Sequence, residues 1–242
     1  MDSPAVTEPL TPDQAPVLLP QHQLPSSAKG YSPLMLEAYD MLIVRLSATL
    51  IWRCPTPFLL RLYSENLSHR HLEAGVGTGY FLEHGIFPTL QPQLTLLDCH
   101  QGVLAHARRR LSRYKPTMIV QDLTHHDWPQ LPQYSSIGLN LVYHALAGSP
   151  AERARVLQRL AQCLSADGVL FGSTVLGVHA QMSGLARQAS EKWLAAGKFN
   201  NRQDTPEQVE QALRTAFDDV QVQVMGYVLL FVARQPKREI QT

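Results

Sequence analysis

Cysteine is scarce in this chain. Cys54, Cys99 and Cys163 are the three in 242 residues, without a C-x-x-C spacing, which excludes a disulfide framework or a zinc-ribbon pattern and fits a reducing compartment. Charge excess is missing as well: a formal net charge of +1 provides no global field to draw in a polyanion, which argues against a dedicated nucleic-acid binder. No apolar run reaches the length a bilayer span needs, because Arg45, Arg53 and Arg61 interrupt the most hydrophobic early segment. The opening "MDSPAVTEPL" has neither the basic n-region nor the apolar h-region of a signal peptide. The expectation is a cytoplasmic protein with no membrane segment. Internal repeats and coiled-coil heptads are likewise lacking.

What is present supports a core: 45% of residues are hydrophobic and 17% charged, enough apolar surface for one sizeable domain. Residues 1 to 30, rich in Pro, Gln and Ser, read as a leader too polar to offset the entropy of ordering. From residue 31 to 68 apolar residues recur every three or four positions, and Ser32-Pro33 and Thr56-Pro57 look like helix starts, with Thr56 as N-cap. Residues 69 to 236 then alternate short apolar runs with helical periodicity, the signature of successive βα units and a parallel sheet. Strands are predicted to end near Glu73, Asp98, Asp122, Asn140 to Tyr143, and Thr174 to Leu176. "SADG" is predicted to turn the chain into the fifth strand, and a helical insertion is expected over about 178 to 204. Thr205 and Gln208 form a capping-box pattern. The ending "VQVQVMGYVLLFVAR" has two β-rich runs joined so tightly that they must pair antiparallel.

The chemistry is concentrated in "HLEAGVGTGYFLEHG", residues 71 to 85. A strand ending in Glu73, then Gly75, Gly77 and Gly79, then a helix, demands a turn where a β-carbon would strike the turn itself or a ligand. The dinucleotide pattern G-x-G-x-x-G does not fit, since the third glycine comes one residue early, and no Gly-Lys-Ser/Thr follows for a P-loop. Glu73 and the three glycines resemble the first motif of class I S-adenosylmethionine-dependent methyltransferases, D/E-x-G-x-G-x-G. The resemblance extends to Asp98, 19 residues after Gly79 at a strand end, where that family holds the ribose hydroxyls, and to Asp122, where its acidic residue meets the adenine amino group. It covers roughly residues 65 to 235.

This resemblance implies a Rossmann-like α/β fold: a seven-stranded, mostly parallel sheet with an antiparallel C-terminal pair, helices on both faces and an N-terminal helical lid. It implies S-adenosyl-L-methionine as cofactor, bound by Glu73, Gly75, Gly77, Gly79, Asp98, Asp122, Leu123 and Asn140. The physics agrees. A carboxylate accepts two parallel bonds from vicinal hydroxyls, an acidic acceptor suits an amino donor, and Glu73 favours an ammonium over a phosphate. Each carboxylate also has a plainer reading: Asp98 as a helix N-cap with Gln101, Asp122 as the acceptor of an Asx turn, Glu73 as a solvated strand end.

The acceptor is expected where the fourth strand ends, in "GLNLVYHALAG". The N/D-P-P-Y/F sequence usual in amino-methylating enzymes of that family is missing there. His144 is the candidate catalytic residue, as substrate-facing base or hydrogen-bond partner, against the alternative of a structural histidine. Tyr143 is expected to face substrate, with Tyr31, Tyr39 and Trp52 of the N-terminal helices, and the insertion adds Trp193, Phe199, Asn200 and Asn201. Aromatics with a few polar groups suit a phenol, an enol or a polyketide-type ring. "THHDW" and the His69/His71 pair do not make a metal site, since neighbouring loop residues rarely converge on one ion. The expected reaction is methyl transfer to a small organic hydroxyl, with no nucleic-acid partner, no membrane and a monomer or homodimer. The alternatives are methylation of RNA or protein, or a cofactor-binding partner protein without turnover.

Overall fold

A computed structural model describes residues 47–179 and 181–238; Tyr31, Tyr39 and the predicted leader lie outside the described residues. The described chain opens on a short helix, α1 (Ala48–Leu50), and α2 (Thr56–Asn66). Seven strands follow: β1 (Arg70–Ala74), β2 (Gln93–Asp98), β3 (Thr117–Val120), β4 (Tyr134–Asn140), β5 (Leu164–Val175), β6 (Phe217–Met225) and β7 (Val228–Pro236). Between them lie α3 (Tyr80–His84), α4 (Gln101–Arg110), α5 (Pro150–Gln162), α6 (Gly184–Ala195) and α7 (Pro206–Arg214).

The strands form one sheet in the order β3-β2-β1-β4-β5-β7-β6. Pairings from β3 to β5 are parallel, and β7 runs antiparallel to both β5 and β6. The order reverses between β1 and β4, which opens a crevice beyond their carboxyl ends, the place where open α/β sheets receive ligands.

Two apolar layers hold the sheet. On one face Val156, Leu157 and Leu160 of α5 and Val209 and Leu213 of α7 are buried; on the other, Leu59, Leu62 and Tyr63 of α2 and Val103, Leu104 and Ala107 of α4. Each buried Leu or Val is worth about 1.5–3 kcal/mol of transfer free energy. Helix α5 starts on a full capping box, Ser149 with Glu152, and α7 on the predicted box, Thr205 with Gln208.

Several boundaries differ from the sequence reading. Thr56 is the first residue of α2 rather than its cap; Pro55 holds the cap position and no side chain caps the helix. The "SADG" segment bulges instead of preceding the strand: Tyr134 pairs Leu164 while Ser136 pairs Val169, so β5 carries extra residues opposite β4. In the insertion, helix is confined to Gly184–Ala195 behind the Ser183 cap. The fourth strand stops at Asn140, since Leu141 turns into left-handed backbone (φ 56) and Tyr143–Ala145 form a single tight turn. β3 ends two residues before Asp122.

Candidate functional site

The glycine turn sits on the β1 side of the crevice. Gly75 has φ 80, and a β-carbon there would lie 2.5 Å from Val142 Cγ2, in the segment leaving β4. The close neighbour at this position is therefore protein, from the segment after β4 and not from the turn itself or a ligand, the two obstacles the sequence suggested. Gly77 (φ 52) has nothing within 4 Å of its β-carbon position; here the turn faces open space. Arg110 braces the turn from α4, donating to the Thr78 carbonyl at 3.0 Å and pairing with Glu83 at 3.1 Å. Tyr80 and Phe81 belong to the packing: Tyr80 is stacked on His84 and Phe81 on Tyr63.

Glu73 is buried, and it is not at the mouth of the crevice. One carboxylate oxygen accepts from the Tyr63 hydroxyl, the other lies 2.9 Å from His71 Nε2. The carboxylate fills the space left by Gly138, where a β-carbon would collide with it. Both carboxylate oxygens are engaged by protein groups beneath the turn, which does not fit direct contact with a cofactor ammonium. Tyr63, His71 and Ser136, which complete this cluster, were missed in the sequence. The alternation of His71 with Glu73 on one strand was the readable sign that they share a face; Tyr63 lies in an apolar helical stripe and gives none. Burial first, and the charge of Glu73 second, push the Tyr63 phenol well above its ordinary range.

At the tip of β2, Asp98 Oδ1 accepts from the His100 backbone at 2.9 Å and lies 3.1 Å from His100 Nδ1. His100 occupies the cap position of α4 without a side-chain cap bond, so the N-cap reading of Asp98 does not hold. The hydrogen bond it donates to Asp98 raises the His100 imidazole to about 10. Donor atoms of Asp98, Cys99 and His100 lie within 4.8 Å of one another; the mutual contacts of Asp98 and Cys99 with His100 account for that closeness. Asp122 Oδ1 accepts from the Thr124 backbone (2.8 Å) and hydroxyl (2.7 Å), an Asx turn. Leu123 is buried beside it. Asn140, at the tip of β4, accepts from the Ser173 hydroxyl, and its buried Nδ2 has no hydrogen-bond partner among the described residues.

His144 follows on the turn after β4, 5% exposed. Its Nδ1 accepts from the Val175 backbone N–H at 3.2 Å, which fixes the neutral tautomer with the proton on Nε2. Burial and the nearby Arg153 lower its pKa to about 3. This geometry overturns the role of base: Nδ1 is occupied and Nε2 already carries a proton, so His144 is a donor. Tyr143 is buried with the Arg153 guanidinium 5.0 Å from its ring centroid, and burial raises its phenol to about 12.

The insertion is tied down at both ends. Gly177 donates to the Asp204 carbonyl at 2.8 Å. Asn201 Nδ2 donates to the Val175 carbonyl at 2.7 Å, and Asn200 donates from its backbone to the His144 carbonyl at 2.7 Å. Asp204 pairs with Arg153 through two bonds of 2.6 Å, both side chains buried. Phe199 is carried onto His144, ring centroids 4.4 Å apart, with Trp52 and Trp193 each 5.8 Å from Phe199. Tyr143, Phe199 and Asn200 line a cleft of about 710 Å³. His125 and His126 stack on each other in the turn after Asp122, and His71 is committed to Glu73 and Ser136. No helix among the described residues is long and apolar enough to cross a membrane.

Comparison with known proteins bears on this crevice. A family model described as a methyltransferase domain matches residues 72–170. Methyltransferase aurB of Calcarisporium arbuscula is 33% identical over 88% of this chain and 98% of its own. Demethylluteothin O-methyltransferase of Streptomyces thioluteus is 31% identical over 82% of this chain and 86% of its own, and the physcion biosynthesis cluster O-methyltransferase of Aspergillus chevalieri 33% over 86% and 94%. Among solved structures the fold is shared with a DhpI complex with S-adenosylhomocysteine (TM-score 0.62, 18% identity, 85% of this chain and 94% of that one). It is also shared with human N-acetylserotonin methyltransferase with its cofactor (TM-score 0.60, 16% identity, 85% and 57%). The glycine turn, the carboxylate-tipped strands and these relatives together place the chain in the class I S-adenosylmethionine-dependent methyltransferases that act on small molecules.

Proposed function

We propose that the chain methylates an acidic hydroxyl, a phenol or an enol, on a ring-bearing small molecule. The observation that carries this reading is His144: a neutral imidazole with a fixed Nε2–H, set against Phe199 and the Trp52 and Trp193 rings. A donor with no base beside it among the described residues suits an acceptor oxygen acidic enough to ionise by itself near neutral pH. His144 then holds that oxygen and the aromatic rings hold the ring that bears it.

The cofactor fits the residues present. Gly77 leaves open space where a backbone-hugging ligand would lie, and both bonds the structure gives Asp98 fall on Oδ1. In this reading Gly75, Gly77 and Gly79 cradle the methionine part, Asp98 takes the ribose hydroxyls, Asp122 and Leu123 the adenine, and the unpartnered Asn140 amide the region nearest the sulfur. When bound, S-adenosylmethionine supplies a methyl group activated by its sulfonium. The chain aligns the acceptor oxygen, excludes water beneath the insertion and keeps Nε2–H on that oxygen; the acceptor's proton has already gone to solvent. Trp52 and Tyr143 line the acceptor side, and the chain works as a monomer or homodimer.

Transfer of labelled methyl to a panel of phenols, enols and amines is the test. The expected result is transfer to acidic hydroxyls, with His144→Gln lowering the rate by about 10- to 100-fold. Transfer to amines alone would overturn the hydroxyl assignment.

A further inference from the structure

We propose that His71 is held as an imidazolium beneath the glycine turn, where it keeps Glu73 ionised and in place as a positioning residue for the cofactor site. The case is a count of hydrogens. Ser68 Oγ donates to the Arg70 carbonyl at 3.1 Å, so its single proton is spent. The contact between Ser68 Oγ and Ser136 Oγ, 2.7 Å, then uses the Ser136 proton. Ser136 Oγ already accepts from the Ser68 backbone at 3.1 Å, and its remaining contact, 2.8 Å to His71 Nδ1, can be filled only by a proton on Nδ1. On the other side, Nε2 meets Glu73 at 2.9 Å. A proton on each ring nitrogen satisfies every contact with Glu73 as a carboxylate; a neutral imidazole satisfies them only if the Glu73 carboxyl holds the proton instead, and the Tyr63 hydroxyl donating to that same group favours the carboxylate.

Burial points the same way. His71 has 0% and Glu73 3% residual exposure, and a carboxylate in so dry a place requires an opposite charge or neutralisation. The titratable groups against the imidazole are Glu73 on its own strand and, through Glu73, Tyr63 of α2; β4 contributes Ser136, β5 the ring of Phe171 and the segment after α3 that of Phe87. Tyr63 donates to the same carboxylate, so the pair is gripped from strand and helix at once. Glu73 immediately precedes the Ala74-Gly75 turn, and its carboxylate occupies the space over Gly138. Loosening it therefore disturbs both walls of the crevice.

The test is a ¹⁵N–¹H correlation of the histidine-labelled full chain without ligand near pH 7.5. The expected spectrum shows both His71 ring nitrogens protonated, assigned by the resonance lost in His71→Gln or, if that variant does not fold, by the one moved in Ser136→Ala. One unprotonated ring nitrogen overturns the proposal. Ser136→Ala removes the Nδ1 acceptor, so the Nδ1–H resonance should shift or broaden; an unchanged resonance also counts against it. The positioning role rests on the cofactor reading and is read separately: His71→Gln should raise the cofactor KM about tenfold and change kcat less, whereas an unchanged KM removes that role. If no acceptor is methylated at all, the functional reading fails while the spectrum still decides the state of His71.

Discussion

The two sides of the crevice are built by different means. The cofactor side is mostly backbone: left-handed glycines, strand tips and a turn braced from α4. The acceptor side is mostly side chains reaching across the fold, with Asn200, Asn201 and the Arg153–Asp204 pair drawing the insertion down onto His144. A glycine turn tolerates few alternatives, so it fixes one ligand; a clamped insertion keeps its anchor while the residues it presents vary. On the proposed function, the division says where specificity resides: the methyl donor is set by the chain's path, the acceptor by what hangs from the clamp.

The largest effect expected from breaking this contrast is on the clamp. Asp204→Ala leaves the Arg153 guanidinium buried without its partner and should cost about 3–5 kcal/mol, measurable by denaturant unfolding. Gly75→Val comes next: left-handed backbone together with the Val142 methyl at 2.5 Å predicts a loss of about 1–3 kcal/mol and of cofactor binding. Gly77→Ala, with open space around it, should cost only about 1 kcal/mol of backbone strain and chiefly weaken the cofactor.

The pH dependence sharpens the acceptor half. His144 titrates at about 3 when folded against 6.5 as a free side chain. Below pH 6.5 the unfolded chain gains a proton that the folded one refuses, so stability is lost progressively between those two values, by on the order of a few kcal/mol, and levels off below the lower one. His144→Gln should flatten that limb of the stability profile in urea titrations. The smallest effect is Phe199→Ala, expected to raise the acceptor KM about tenfold through loss of an aromatic contact while leaving cofactor affinity in place.

The same contrast explains what the sequence disclosed. The succession of strands, the antiparallel end, the α7 capping box and the glycine turn follow from local periodicity and turn chemistry, which are written in neighbouring residues. Asp98 stands at the end of β2 as read, whereas Asp122 falls two residues beyond β3, in an Asx turn. What stayed hidden depends on partners distant in the chain: Tyr63 on Glu73, Val142 against Gly75, Arg153 on Asp204. For His144 the sequence left base and hydrogen-bond partner both open, because the Val175 N–H that fixes its tautomer lies 31 positions away.

Calorimetric titration with S-adenosylhomocysteine, wild type beside Asp98→Ala, probes the crevice most directly. The account predicts binding by the wild type, a loss of roughly 10- to 100-fold in the variant from the forfeited charged hydrogen bonds, and no heat with NAD. Equal affinity in the two proteins, or heat with NAD alone, would contradict it.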